Sequence, residues 1–278
     1  MRIIKSYRHG FTLGTNSYEP SAKRPRGERG QVGGWSHGST SRNIAFLRSI
    51  DETLLDGVGF ALTLTVRDCP PTSDHWHKIR DTFFKRLNRL GLLRLHWVIE
   101  WQRRGVPHLH CACYFPSYSE AMLPHKIVKS WCQLVEPYNA SPFAQYVLSI
   151  SDAIGWFQYV SKHAARGVGH YQRSPENIPK PWKQKTGRMW GKIGNWPVKE
   201  FSEVYLSDSA FYAFRRIVKG WRLADARSSK NSKRILSARK YLQVPENLGR
   251  VLGASEWLPE NILFQVLFFL KSQGYEFR

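Results

Sequence analysis

Acidic residues are scarce in this chain: 21 Asp and Glu stand against 42 Lys and Arg, a formal net charge of +21. A polyanionic partner is the ordinary physical reason for such an imbalance. Cysteine is scarcer still. Cys69, Cys111, Cys113 and Cys132 include no Cys-x-x-Cys spacing, and they read as thiols of a reducing compartment, with Cys111 and Cys113 in the core. No run of about 18 apolar residues occurs and the N-terminus lacks an apolar signal core, so neither a membrane span nor secretion is expected. A nucleotide-binding G-x-x-x-x-G-K-[ST] loop is also missing. "GRMWGK" is one residue short between its glycines, and Ile193 stands where Ser or Thr is required. No internal repeat is present.

What the 278 residues do contain is apolar content enough for one large core or two modest ones, at 42% hydrophobic. The charge is unevenly spread: +7 over residues 1–50, +1 over 51–159, +14 over 160–243 and −1 over 244–278. A nearly neutral centre with basic flanks suits a nucleic-acid enzyme better than uniform supercharging. For the first flank alone, a nuclear or membrane-surface basic tract fits equally well. Residues 1–41, with "EPSAKRPRGERGQVGGWSHGSTS", are rich in Gly, Pro, Ser and basic residues. That composition predicts a mobile basic arm.

The spacing then predicts a helix over 42–55, a strand over 59–66 ("GFALTLTV") and a helix over 73–91 that stops at Gly91. Strands over 92–102 and 106–115 follow, joined by a tight hairpin at "RRG". After a further helix, "AQYVLSIS" (144–151) reads as a fourth strand and "DAIGWFQYVSKHAARG" as the next helix. The order β-α-β-β-α-β predicts an α+β fold with a ferredoxin-like, RRM-like antiparallel sheet, extended by helices and basic loop-rich segments. Residues 170–200 read as loop. Residues 201–278 read as a helical C-terminal extension, basic to about 243.

One short stretch carries chemistry. In "RGVPHLHCACYF" the strand alternation turns His108 and His110 to one face and Leu109 to the other. Glu100, near the hairpin on the preceding strand, falls beside them. Two imidazoles and a carboxylate from adjacent strands predict a three-ligand metal site with positions open to water and substrate oxygens. The H-x-H pair by itself is a weak signal, more often structural than metal-binding, and Glu100 at hairpin distance is what strengthens it. In the later helix, "YVSK" sets Tyr159 and Lys162 on one face. A half-buried tyrosine on an amphipathic helix would look the same. Within 170–200, Lys180, Lys183, Lys185, Arg188 and Lys192 are interleaved with Trp182 and Trp190, the pattern on which single-stranded nucleic acid stacks and tracks. The same tryptophans would serve to pack a loop onto the sheet.

Taken in order, the strand "FALTLTV", the H-hydrophobic-H strand within "EWQRRGVPHLH" and the Y-x-x-K helix resemble the three motifs of the HUH endonucleases of the rolling-circle replication initiator family, over about residues 59–166. These occur in single-stranded DNA phages and viruses and in small plasmids. The resemblance implies an HUH nuclease domain over 42–200. It implies Mg²⁺ or Mn²⁺ on Glu100, His108 and His110, Tyr159 as the nucleophile that nicks single-stranded origin DNA, and Lys162 as its charge partner. The products would be a 5′-phosphotyrosine link and a free 3′-OH, with a later transfer rejoining the ends. A hairpin origin, a host helicase and polymerase, and the bacterial cytoplasm as the site of action are implied as well. Some relatives carry two tyrosines in this helix; here Tyr159 stands alone, with Tyr146 and Tyr171 in flanking segments. A non-catalytic single-strand-binding module, or an HUH transposase or relaxase, is the alternative.

Overall fold

The computed structural model describes residues 2–15, 33–117, 121–165, 172–242 and 253–277, apart from the side chains of 15 and 162–165. In chain order the elements are β1 (Arg2–Tyr7), β2 (Gly10–Thr15), α1 (His37–Ser49), β3 (Val58–Thr65), α2 (Ser73–Arg89), β4 (Arg94–Trp101), β5 (Pro107–Phe115) and α3 (Leu123–Leu134). They continue with β6 (Tyr146–Ser149), α4 (Ala153–Ala165), β7 (Trp190–Gly194), β8 (Ser202–Leu206), α5 (Asp208–Ser228), α6 (Ser232–Lys240), β9 (Ala254–Glu256) and α7 (Glu260–Ser272). They belong to two compact units, residues 27–198 and residues 1–26 with 199–278.

The larger unit is built on a five-stranded sheet of order β6-β3-β5-β4-β7, every neighbouring pair antiparallel. β5 inserts between β3 and β4, and β6 returns beside β3. This is the split β-α-β arrangement that the element order predicts. α2 forms where its sequence says it should. Thr72 Oγ1 accepts from the His75 amide, Asp74 lies in the first turn, and Arg86 and Arg89 lie in the last. Its buried stripe of Trp76, Phe83, Phe84 and Leu87 packs with Trp131 of α3 beneath the sheet, and Phe84 meets Trp97 of β4. Cys111 and Cys113 are buried free thiols. The opposite face takes α1 and α4. Since both faces are covered, all eight residues of β4 are buried.

The smaller unit has a four-stranded sheet, β8-β1-β2-β9, with a core of Ile4, Phe11, Leu13, Phe211, Phe214 and Leu263 among others. Phe11 and Phe214 meet edge to face at 5.0 Å.

Several elements differ from the sequence-based expectation. Residues 2–15 are a β-hairpin that buries Ile4, Phe11 and Leu13, whereas the composition of residues 1–41 as a whole predicts a mobile arm. Residues 16–32 of that arm lie outside the described residues, and its last five, 37–41, already belong to α1. α1 starts at His37, capped by Ser36, and stops at Ser49, short of 55. β7 lies inside the stretch read as loop and completes the sheet edge beside β4. β8 and β9 lie inside the extension read as helical. All three are strands of five residues or fewer, too brief for alternation to register. Among the described residues, no helix is long and apolar enough to cross a membrane.

Candidate active site on the five-stranded sheet

The hairpin that carries the site closes through Gln102 and Val106. The Gln102 amide donates to Val106 O, and the Gly105 amide donates to Gln102 O, both at 2.9 Å. Gly105 has φ +73°, where a side chain would be strained. This turn sets the register of β4 on β5. Glu100 lies opposite His108 and Val98 opposite His110, while from β3 Thr65 lies opposite His108 and Thr63 opposite His110. Glu100, His108, His110, Thr63 and Thr65 therefore share one sheet face.

Glu100 and His110 are buried, with Glu100 Oε2 and His110 Nε2 3.6 Å apart. Thr63 Oγ1 is hydrogen-bonded to His110 Nδ1 at 3.1 Å, which fixes the ring and directs Nε2 toward the carboxylate. The two imidazole rings are 4.5 Å apart between centroids. His108 Nδ1 faces Gln102 Nε2 at 3.5 Å. Burial first, and the charge of Arg104 second, push the His108 pKa down to about 4, so the ring is neutral at pH 7 and keeps a lone pair for a ligand.

Tyr159 of α4 meets His110 edge to face with ring centroids 6.1 Å apart, stacks on Trp156 at 5.2 Å and is 42% exposed. The helix thus brings a solvent-accessible phenol to the histidine face from 49 residues downstream of His110 in the chain. Lys162 lies on the same helix, with its side chain outside the described residues; Tyr171 is outside them altogether. Tyr146, on edge strand β6, pairs with Thr63 and is exposed.

Arg173 is the residue that sequence reasoning missed. It is buried beside Glu100, donating from Nη2 at 3.0 Å and Nε at 3.3 Å to Oε1, and from Nη2 to Val160 O at 3.4 Å. Its guanidinium lies 3.8 Å from the centroid of the Trp35 ring, and Trp35 Nε1 donates to Ile99 O. Burial lowers the Arg173 pKa and Glu100 opposes that. The signal in the sequence was Glu100 itself, because a carboxylate on a covered sheet face demands a cation. Which arginine supplies it is not legible 73 residues away.

The residues proposed to track single strands separate. Trp182 is a correction: it is buried, donates Nε1–H to Pro70 O and packs edge to face on Trp101, so its ring is closed to a base. Lys185 pairs with Asp74 of α2. Trp190 is half-buried and lies on the site face in register with Val98, against Phe46 and His96. Lys192 is exposed over the Phe46 ring, and Lys180, Lys183 and Arg188 are exposed.

A carboxylate oxygen and an imidazole nitrogen 3.6 Å apart, beyond hydrogen-bond distance, are donors that a divalent cation at about 2.0–2.2 Å from each can bridge. Glu100 and His110 fit one edge of a metal site. Among the described residues, no three His, Cys, Asp or Glu side chains close into a metal-binding group. His108 lines the edge without closing it, and Arg173 holds the other Glu100 oxygen.

The fold and face are those of an α+β protein with a carboxylate and two histidines on one sheet face, and comparison with known proteins bears on which kind. Residues 59–166 match the family model described as replication-associated protein ORF2/gene II protein. Over 277 residues, spanning both chains completely, the sequence is 72% identical to the replication-associated protein of Pseudomonas phage Pf3. It is 45% identical to putative replication proteins of Xylella fastidiosa strain 9a5c, covering 99% of this chain and 98% of that one, and of strain Temecula1, covering 92% and 99%. The chain belongs to this ORF2/gene II family of replication-associated proteins. No solved structure matches it.

Proposed function

We propose that the protein initiates replication as an HUH-type endonuclease, nicking single-stranded origin DNA and later rejoining the ends. The observation that carries this reading is the accessible Tyr159 phenol against His110, on the face where Glu100 and His108 stand in register. A bound Mg²⁺ or Mn²⁺ would polarise the scissile phosphate, and Glu100, His110 and His108 are the residues that would hold it.

Tyr159 Oη attacks the phosphorus in line and displaces the 3′-oxygen of the preceding nucleotide. The phenol proton passes to water at this half-exposed site, and the departing 3′-oxygen takes one up. The 5′-phosphate is then esterified to Tyr159, and the ester keeps its energy, so a 3′-OH can later reverse the step without ATP. Trp156 holds the phenol ring by stacking, Thr63 holds His110, and Arg173 holds Glu100. Lys162, from the same helix face, offsets phosphate charge. Host helicase and polymerase supply unwinding and synthesis.

The test incubates labelled single-stranded origin oligonucleotides with the protein and Mn²⁺ or Mg²⁺ and resolves the products on a denaturing gel. A metal-dependent covalent adduct is expected, reduced at least ~10³-fold in Tyr159→Phe and lost in His110→Ala. Tight binding with no adduct across sequences and metals would leave a non-catalytic single-strand-binding module.

A further inference from the structure

We propose that the α5–α6 hairpin of the smaller unit is a second DNA-contacting surface, one that grips the phosphate backbone of duplex DNA. This rests on DNA being what the protein acts on and uses none of the candidate active-site residues.

α5 buries Ala210, Phe211, Phe214 and Val218 against the small unit's core. At 100° per residue, that leaves Arg216, Lys219 and Arg227 on the outward side. Lys230 follows in the turn, with φ +52°. On α6, which buries Ala238, Lys233 and Lys240 lie two turns apart on the outward face. Five of these six cations are exposed and Lys219 is half-buried. The nearby carboxylates are engaged elsewhere: Asp225 by Arg234, Glu256 by Arg222 and Tyr241. Among the described residues, none of the six has an ion pair.

The support beneath them is rigid. Arg222 lies over the Tyr241 ring at 4.0 Å, and Arg215 Nη2 donates to Leu242 O at 3.0 Å, tying the end of α6 back to α5. Arg216 and Arg227 are 11 residues apart, about 16 Å along the helix. Charges held about 16 Å apart on one helix span several phosphates of a duplex strand, which recur about every 3.4 Å along the axis. On α5 the Tyr212 and Trp221 rings are each 38% exposed, and the Arg2 and Arg215 guanidiniums lie 5.9 and 5.7 Å from the Tyr212 ring. Cations outnumber aromatic rings on this surface, and a row of cations binds mainly the phosphate backbone, largely independent of sequence.

The test uses the full-length protein and a labelled duplex of about 30 base pairs, followed by anisotropy across salt concentrations. The quadruple variant Arg216→Ala, Lys219→Ala, Lys233→Ala, Lys240→Ala is expected to bind duplex at least tenfold more weakly. Its slope of log K against log salt should flatten by about 0.9 for each phosphate that is no longer neutralised. Adduct formation on a single-stranded oligonucleotide should stay within twofold of the parent. Should the quadruple variant unfold, Lys233→Glu alone provides the same readout with a smaller change. An unchanged duplex affinity and slope would overturn the proposal, as would an equal loss on single strands and duplex. A parent protein that forms no adduct would instead sink the nicking mechanism and leave the duplex measurement intact.

Discussion

The two sheets bury different things. On its α1/α4 face the five-stranded sheet covers Glu100, Arg173, His110, His96 and Asn43, while in the smaller unit the buried polar side chains among the described residues are those of Ser6 and His9. Burying a charge or an imidazole costs several kcal/mol that a leucine would not. The larger unit takes on that cost most heavily on the face where the chemistry is proposed, and the smaller one confines it to Ser6 and His9 among the described residues. The distribution of charge mirrors the contrast. The larger unit buries the Glu100–Arg173 pair, and the smaller one carries exposed cations along α5 and α6.

Breaking the buried pair should have the largest effect. Arg173→Met leaves Glu100 in the interior without that cation, at a cost of about 3–5 kcal/mol in denaturant unfolding. Arg173→Met with Glu100→Gln should recover part of the stability and none of the adduct; full recovery of adduct would show that the pair is not part of the site. Next, Leu13→Ala in the hairpin of residues 2–15 is expected to cost about 2–5 kcal/mol. A change below about 0.5 kcal/mol, the level of an ordinary surface substitution, would return that hairpin to a loosely held arm.

The third prediction concerns His96, which is buried with Nε2 2.7 Å from Asn43 Oδ1 and has its pKa pushed down to about 3, by burial first and Lys192 second. A folded-state pKa below the unfolded value of about 6.5 means the unfolded chain binds the proton more readily. This contribution is complete above about pH 6.5. It declines as pH falls from there toward about 3, by up to about 1.4 kcal/mol per pH unit. His96→Gln should flatten that part of the pH–stability profile, and an unaltered profile would show that other groups set it. The smallest effect belongs to the exposed Lys185–Asp74 pair. Lys185→Ala should leave the denaturant unfolding midpoint indistinguishable from the parent's, because solvent screens an exposed pair; a clear shift would show that the pair holds α2 to the loop that carries Lys185.

How legible the molecule was depends on how local the signal is. The alternation of "FALTLTV" and "PHLHCACYF", the capped stripe of α2 and the turn at Gly105 are written within about ten to twenty residues, and each forms close to where the spacing puts it. Histidine parity and the short hairpin suffice to set Glu100 beside His108. Edge strands β7, β8 and β9 are too short to stand out. Residues 2–15 were masked by the Gly- and Pro-rich run that follows them. Trp182 shows why composition misleads: interleaved aromatic and basic residues look the same whether a ring faces a base or Trp101.

By itself, then, the sequence determined the α+β order of elements, the shared face of Glu100, His108 and His110, and the net basic charge, because periodicity and composition act over short range. Only the tertiary structure decided that Tyr159 meets His110, that Arg173 is the cation buried with Glu100, and that residues 2–15 join a sheet with strands some 200 and 240 residues away. Those contacts depend on which distant segments share one face once the core has closed, and no local pattern encodes such a pairing.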